Sequence, residues 1–151
     1  MKPVHVASLL LLFGGLALPA PLAGQETEVR EALLRTVATW NNGAHEEFRS
    51  YFMPNVHGFY LDGAMLYEGL NPLEEDRALY AAGFKPNVAA RQITIRVYGN
   101  VAVAAAYFSG TITLPGGQQL AGPWRYTETR IRDAGKWKIA QWHFSRLDPQ
   151  P

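Results

Sequence analysis

Between residues 89 and 147 the chain is strand-like sequence, rich in Val, Ile, Thr, Tyr, Phe and Trp, broken only at turn-forming clusters. The breaks are Gly99-Asn100, Pro115-Gly116-Gly117 and Asp133-Ala134-Gly135, residues that accept the positive φ a tight hairpin needs. This pattern predicts four long antiparallel strands, at 89–98, 101–114, 120–132 and 137–147. A meander of that length has a face that must be covered, so the upstream sequence has to supply helices.

The upstream sequence does so. From Thr27, apolar residues at Val29, Ala32, Leu33, Val37 and Trp40 form one helical stripe, which Asn41-Asn42-Gly43 stops. The period resumes with Phe48, Tyr51 and Phe52 and predicts a second helix over 44–53, ended by Pro54. Residues 56–61 and 64–67 flank Asp62-Gly63 and read as a hairpin. Asn71-Pro72-Leu73-Glu74 then opens a third helix, with Asn71 as cap and Pro72 at its first position, running to about Ala82 before Gly83. The order of helix, helix, hairpin, helix and meander defines an α+β domain.

Residues 1–24 read as a secretory signal peptide, with Lys2, then the apolar run around Leu9, Leu10, Leu11, Leu12 and Phe13, then small residues up to Gly24. The run is interrupted by Gly14, Gly15 and Pro19, so no stable membrane anchor is expected. The domain proper is then 25–151, secreted or periplasmic. Removing Lys2 from 14 Lys+Arg leaves basic and acidic residues equal, which argues against a nucleic-acid partner. The absence of cysteine excludes thiolate metal sites, disulfides and thiol nucleophiles. No Gly-rich phosphate loop or dinucleotide fingerprint occurs, and no metal or cofactor is expected.

Three stretches near the end carry a family resemblance: Arg125-Tyr126-Thr127-Glu128, Gly135-Lys136-Trp137-Lys138-Ile139 and His143-Phe144-Ser145. Together they resemble the ending of SnoaL-like, ketosteroid-isomerase-like domains of the nuclear transport factor 2-like superfamily. The helix ending in Trp40, the Asp62-Gly63 hairpin followed by Glu68-Gly69, and Tyr98-Gly99-Asn100-Val101-Ala102 agree with it. The last strand is also similar to that of the association domain of calcium/calmodulin-dependent kinase II. The resemblance implies a cone-shaped, curved antiparallel sheet wrapped around the N-terminal helices, a pocket between its concave face and the first helix, and a homodimer formed through the outer sheet face. It leaves chemistry open, because the superfamily spans isomerases, dehydratases, hydrolases, binding subunits and oligomerisation hubs.

The final hairpin decides which residues face that pocket. Asp133-Ala134-Gly135 reads as a three-residue loop pairing Arg132 with Lys136. One face then carries Arg125, Thr127, Thr129 and Ile131 beside Trp137, Ile139, Gln141, His143 and Ser145, an apolar base with a polar mouth. On this reading Arg125, Thr127, Gln141, His143 and Ser145 bind the ligand with Trp40 and Tyr60, and Arg125 holds a polar or anionic end. His143 is the candidate catalytic acid or base, with Ser145 helping to orient substrate. The opposite face carries Trp124, Tyr126, Trp142 and Phe144, an aromatic patch assigned to the dimer interface. His57 and Glu68 face each other across the first hairpin.

Residues 56–61 and 89–114 contain no Asp or Glu, and Glu128 falls with the outer set, so no carboxylate base is expected in the pocket. The sequence thus points first to an exported protein that binds a small, partly apolar molecule with a polar or anionic end. One alternative is an isomerase, dehydratase or hydrolase using His143. The other is an interaction module with a vestigial pocket.

Overall fold

The structure, a computed structural model, describes residues 22–61 and 66–147. Residues 1–21 of the expected signal peptide, the Asp62-Gly63 turn and the tail after Leu147 lie outside the described residues. Helix α1 (Leu22–Asn42) buries Val29, Leu33 and Val37, the stripe predicted from spacing. It stops where Gly43 turns left-handed at φ +65°, with the Ala44 amide donating to the Thr39 carbonyl at 3.0 Å. Among the described residues no helix is long and apolar enough to cross a membrane.

Helix α2 (His45–Ser50) is shorter than its apolar spacing predicts, because Phe52 is taken into strand β1 (Phe52–Phe59). The cause is tertiary: β1 lies parallel to the last strand, Phe52 is in register with Ile139, and the Ile139 amide donates to the Tyr51 carbonyl at 2.7 Å. Pro54, which has no N–H, falls where this pairing is irregular. The short β2 (Tyr67–Glu68) pairs antiparallel with β1, placing His57 opposite Glu68 as expected. Helix α3 (Leu73–Ala81) begins one residue later than predicted: Pro72 is its cap residue, while Asn71 accepts a hydrogen bond from the Tyr67 hydroxyl.

Strands β3 (Lys85–Tyr98), β4 (Val101–Thr113), β5 (Gln119–Ala121), β6 (Trp124–Asp133) and β7 (Lys136–Arg146) complete a curved sheet ordered β2-β1-β7-β6-β4-β3, with β5 on β4. The sheet is mixed rather than wholly antiparallel, since β1 and β7 run parallel. The single strand expected over 120–132 is two, separated by Gly122-Pro123, because Pro123 cannot donate to a ladder. In the β3–β4 hairpin Tyr98 pairs with Val101, Val97 with Ala102 and Ile95 with Ala104, so large residues on one strand face small ones on the other. A left-handed Gln92 (φ +50°) interrupts the ladder beyond that point. The small alanines leave room for α1, whose Asn41 side chain bonds the Val88 backbone twice, at 2.8 and 3.0 Å.

The β6–β7 hairpin departs from expectation in two places. Ala134 and Gly135, at φ +47° and +80°, make a two-residue turn, so Asp133 pairs with Lys136 and Arg132 with Trp137. A bulge at Ala140 then shifts the ladder, from Arg130 opposite Ile139 to Thr129 opposite Gln141. As a result Trp137 and Ile139 share a face with Trp124, Tyr126, Glu128, Arg130, Trp142 and Phe144. That face meets α1.

Candidate functional site

A cavity of about 550 Å³ lies between this helix-facing side of the sheet and the three helices. α1 contributes Leu33, Thr36, Val37, Thr39 and Trp40 to its wall, and β6 and β7 contribute Tyr126, Glu128, Trp142 and Phe144. Neither α2 nor α3 has a fully buried residue, and both turn apolar side chains to the cavity, Phe48 from one and Leu79 and Tyr80 from the other. The two helices are tied to each other by ion pairs, Arg49–Asp76 at 3.0 Å and Arg77–Glu46. Tyr80 fixes α3 to α1 by donating to the Trp40 carbonyl, and the His45 ring stands edge-on to it at 4.6 Å.

Eleven of the 24 described wall residues are Phe, Tyr or Trp. Their rings meet mostly tilted or edge to face, as Tyr60 does with Trp142 at 5.5 Å and Trp40 with Phe144 at 6.3 Å. Gly58 makes room for this stack: a Cβ there would stand 2.5 Å from the Trp142 ring.

The wall's polar focus is an ion pair. Glu128 is 1% exposed and Arg130 is 0% exposed. Arg130 donates from Nε to Glu128 Oε1 at 2.5 Å and from a terminal nitrogen to Oε2 at 3.1 Å. It also reaches the Thr36 hydroxyl at 3.1 Å and the Trp137 carbonyl at 3.2 Å. The Tyr126 hydroxyl donates to Glu128 Oε2 at 2.8 Å. Burial, and then the adjacent Glu128 carboxylate, push the Tyr126 pKa well above its ordinary value, so Tyr126 is a neutral donor near pH 7. Burial also raises Tyr80.

Trp40 and Tyr60 line the cavity. Arg125, Thr127, Gln141, His143 and Ser145 do not: they lie together on the convex face, in register with one another and with Phe59 and Tyr107. Arg125 donates to the Arg146 carbonyl at 2.9 Å, and His143 stands against the Phe59 ring at 5.9 Å. The acid–base role envisaged for His143 inside the cavity does not fit this placement. Conversely, Tyr126, Trp142 and Phe144, assigned to an interface, are cavity wall, and Trp124 is core packed on Phe144. The expected grouping of side chains is right from Gln141 onward. What differs is that the turn and the bulge attach the apolar base, Trp137 and Ile139, to the aromatic set. The expectation of a pocket without a carboxylate falls with it, since Glu128 and Asp76 both line the cavity. Glu128 and Arg130 were legible only as members of the Tyr126 parity set. Asp76 and Tyr80, on α3, carried no periodic signal. Among the described residues no group of three His, Asp or Glu side chains could hold a metal ion.

A helix-filled, curved mixed sheet with an apolar cavity under its first helix defines an α+β cone of the nuclear transport factor 2-like kind. The profile of the SnoaL-like domain matches residues 29–149, and the chain belongs to that family. Solved structures agree in fold. A proposed dehydratase of the nuclear transport factor 2-like family from Streptomyces avermitilis aligns with a TM-score of 0.73 at 15% identity, covering 85% of this chain and 100% of its own. A ketosteroid isomerase-like protein from Erwinia carotovora atroseptica gives 0.67 at 14%, covering 83% and 98%. A nuclear transport factor 2-like protein from Cytophaga hutchinsonii gives 0.67 at 16%, covering 82% and 98%. No curated protein sequence matches the chain.

Proposed function

We propose that the protein binds a small, largely apolar organic molecule with a polar end in the cavity beneath α1. The observation that carries this reading is the aromatic-lined space of about 550 Å³, within the roughly 300–1,000 Å³ range of ligand pockets, with one concentrated polar group in its wall. The polar end meets the Tyr126 side of the wall rather than Arg125. Membership of a family that includes ligand-binding and isomerase-type domains is compatible with this. A neutral probe, 4-phenylbutan-1-ol, should bind the full domain in calorimetry, and Leu79→Trp, which fills the cavity from α3, should weaken it at least about tenfold. Absence of binding to the parent protein, with no small molecule retained on purification from the native host, would remove the reading.

We also propose that the convex face forms a homodimer, because Phe59, Val103 and Tyr107 are exposed there around Thr127 and His143. Tyr107→Arg should then yield a folded monomer in sedimentation, and an unchanged oligomeric state would reject this face. Residues 1–24 are taken as an export leader, which an intact mass of the secreted protein checks.

A further inference from the structure

We infer that residues 70–82, which are α3 with its flanks, form a hinged lid that swings away from α2 to admit and release the cavity's occupant. The opening stands on the geometry of the segment alone, whereas its use as a gate rests on the cavity being a ligand site. The segment carries Leu70, Asn71, Asp76, Leu79 and Tyr80 of the wall, so its movement uncovers one side of the cavity. Every residue of 70–82 is half-buried or exposed, and α3 (Leu73–Ala81) is too short to persist as a helix without support. By contrast, α1 buries Val29 and Leu33 almost completely. Few apolar groups are therefore lost from the core when α3 lifts, which makes it an element that opens locally at low cost.

The two ends of the segment are fixed to the frame. The Gly69 amide donates to the Val56 carbonyl at 2.7 Å, and Phe84 belongs to the core. At these anchors Gly69 and Gly83 are left-handed, with φ of +78° and +99°, and nothing lies within 4 Å of where a Cβ would stand. Glycine in open space absorbs a change of backbone dihedral readily, so both positions serve as hinges. The contacts that close the lid are polar. Arg49 holds Asp76 at 3.0 Å and the Asn71 carbonyl at 2.6 Å, Arg77 pairs with Glu46, and the Tyr80 hydroxyl donates to the Trp40 carbonyl. Both ion pairs are partly exposed, so water takes over their charges as they part. The edge they close against is fixed, because α2 is tied at both ends. The Ala44 amide donates to the Thr39 carbonyl at 3.0 Å, and the Tyr51 carbonyl accepts from the Ile139 amide at 2.7 Å.

Two measurements test the lid. In native-state hydrogen exchange of the ligand-free domain, the α3 amides should exchange at least about a hundredfold faster than those on the buried face of α1, with little dependence on urea. Protection of α3 up to global unfolding overturns the lid, whatever the cavity binds. The second measurement uses Glu46→Cys with Arg77→Cys, which supply the only thiols in a chain without cysteine, at positions outside the cavity wall. Bridging the two with bismaleimidoethane ties α3 to α2, and the same variant capped with N-ethylmaleimide is the unbridged control. Entry and release of 4-phenylbutan-1-ol are followed by stopped-flow tryptophan fluorescence, with Trp40 and Trp142 in the wall as reporters. Both rates should fall at least about tenfold in the bridged protein relative to the capped one, with the affinity little changed. Equal rates in the two overturn the gate while leaving the cavity as a ligand site, entered instead past Leu114 and Pro115. Failure of the parent protein to bind the alcohol removes the ligand-site reading and the gate with it, and the exchange measurement still decides whether α3 opens.

Discussion

Arg130→Met is the perturbation that probes the polar heart of the fold most directly. The substitution keeps the side chain's length and apolar stem but leaves the Glu128 carboxylate, 1% exposed, without its counter-charge. It removes both contacts to Glu128 and those to the Thr36 hydroxyl and the Trp137 carbonyl. Breaking a buried ion pair from one side costs about 3–5 kcal/mol, which is two to three or more decades in the folding constant and a large part of a domain's stability of about 5–15 kcal/mol. Replacing both partners, as in Glu128→Leu with Arg130→Met, removes the stranded charge. Such replacements are often neutral or stabilising by about 1–4 kcal/mol. Here the Tyr126 hydroxyl and the Trp137 carbonyl also lose partners, at about 1 kcal/mol each, so the double variant should fall within about 2 kcal/mol of the parent. Urea unfolding followed by tryptophan fluorescence gives the four corners of the cycle, provided the m-values agree. A loss below about 1 kcal/mol in Arg130→Met, or a double variant as unstable as the two singles summed, would refute the burial argument.

Three further outcomes follow from the same geometry. Folded Tyr126 titrates above its unfolded value near 10, so its contribution is fully present below about pH 10 and is lost as pH rises towards the folded pKa; Tyr126→Phe should reduce this alkaline loss in pH-dependent unfolding, with Tyr80, Tyr51 and Tyr67, all raised by burial, supplying what remains. Gly110→Ala should cost about 2–4 kcal/mol by thermal or chemical melting, since φ is +130° and the new Cβ would stand 2.1 Å from the Asn87 carbonyl oxygen; Gly116→Ala, at φ +90° but in open space, should cost about 1 kcal/mol. His143→Ala should change affinity for a cavity probe by less than about twofold in calorimetry, and loss of binding would mean that the β7 register is wrong.

The α1 stripe and the β3–β4 hairpin were legible because each rests on local information. Val29, Leu33 and Val37 repeat at the helical period, and Gly99-Asn100 sets the pairing of Tyr98 with Val101 unaided. Helix α2 was legible only in its first half: Phe52 satisfies a helical spacing, and what takes it into β1 is a parallel partner nearly ninety residues away, at Ile139. The same limit applies to α3, where Asn71 is a sound cap by composition but accepts the Tyr67 hydroxyl bond instead.

The candidate site turned on one further residue of register. Side chains on a strand alternate with a period of two, so a loop of two rather than three residues reverses every assignment that depends on it. A bulge reverses it again for the residues beyond. Ala134 in a left-handed conformation and the bulge at Ala140 together leave the distal grouping as expected while moving Trp137 and Ile139 across the sheet. An apolar base under a polar mouth was a sound criterion for the pocket face, but that base belonged to the other set. The charged pair offers a check that needs no register. Glu128 and Arg130 share a parity with Tyr126 and Trp124, so whichever face that set occupies must either hide an ion pair or expose two large aromatics. The fold hides the pair, and Thr36 on α1 supplies the polar partner that the helix must carry if it is to pack there. A threonine within the apolar stripe of α1, three residues after Leu33, was therefore the sequence's own indication of which sheet face the helix covers.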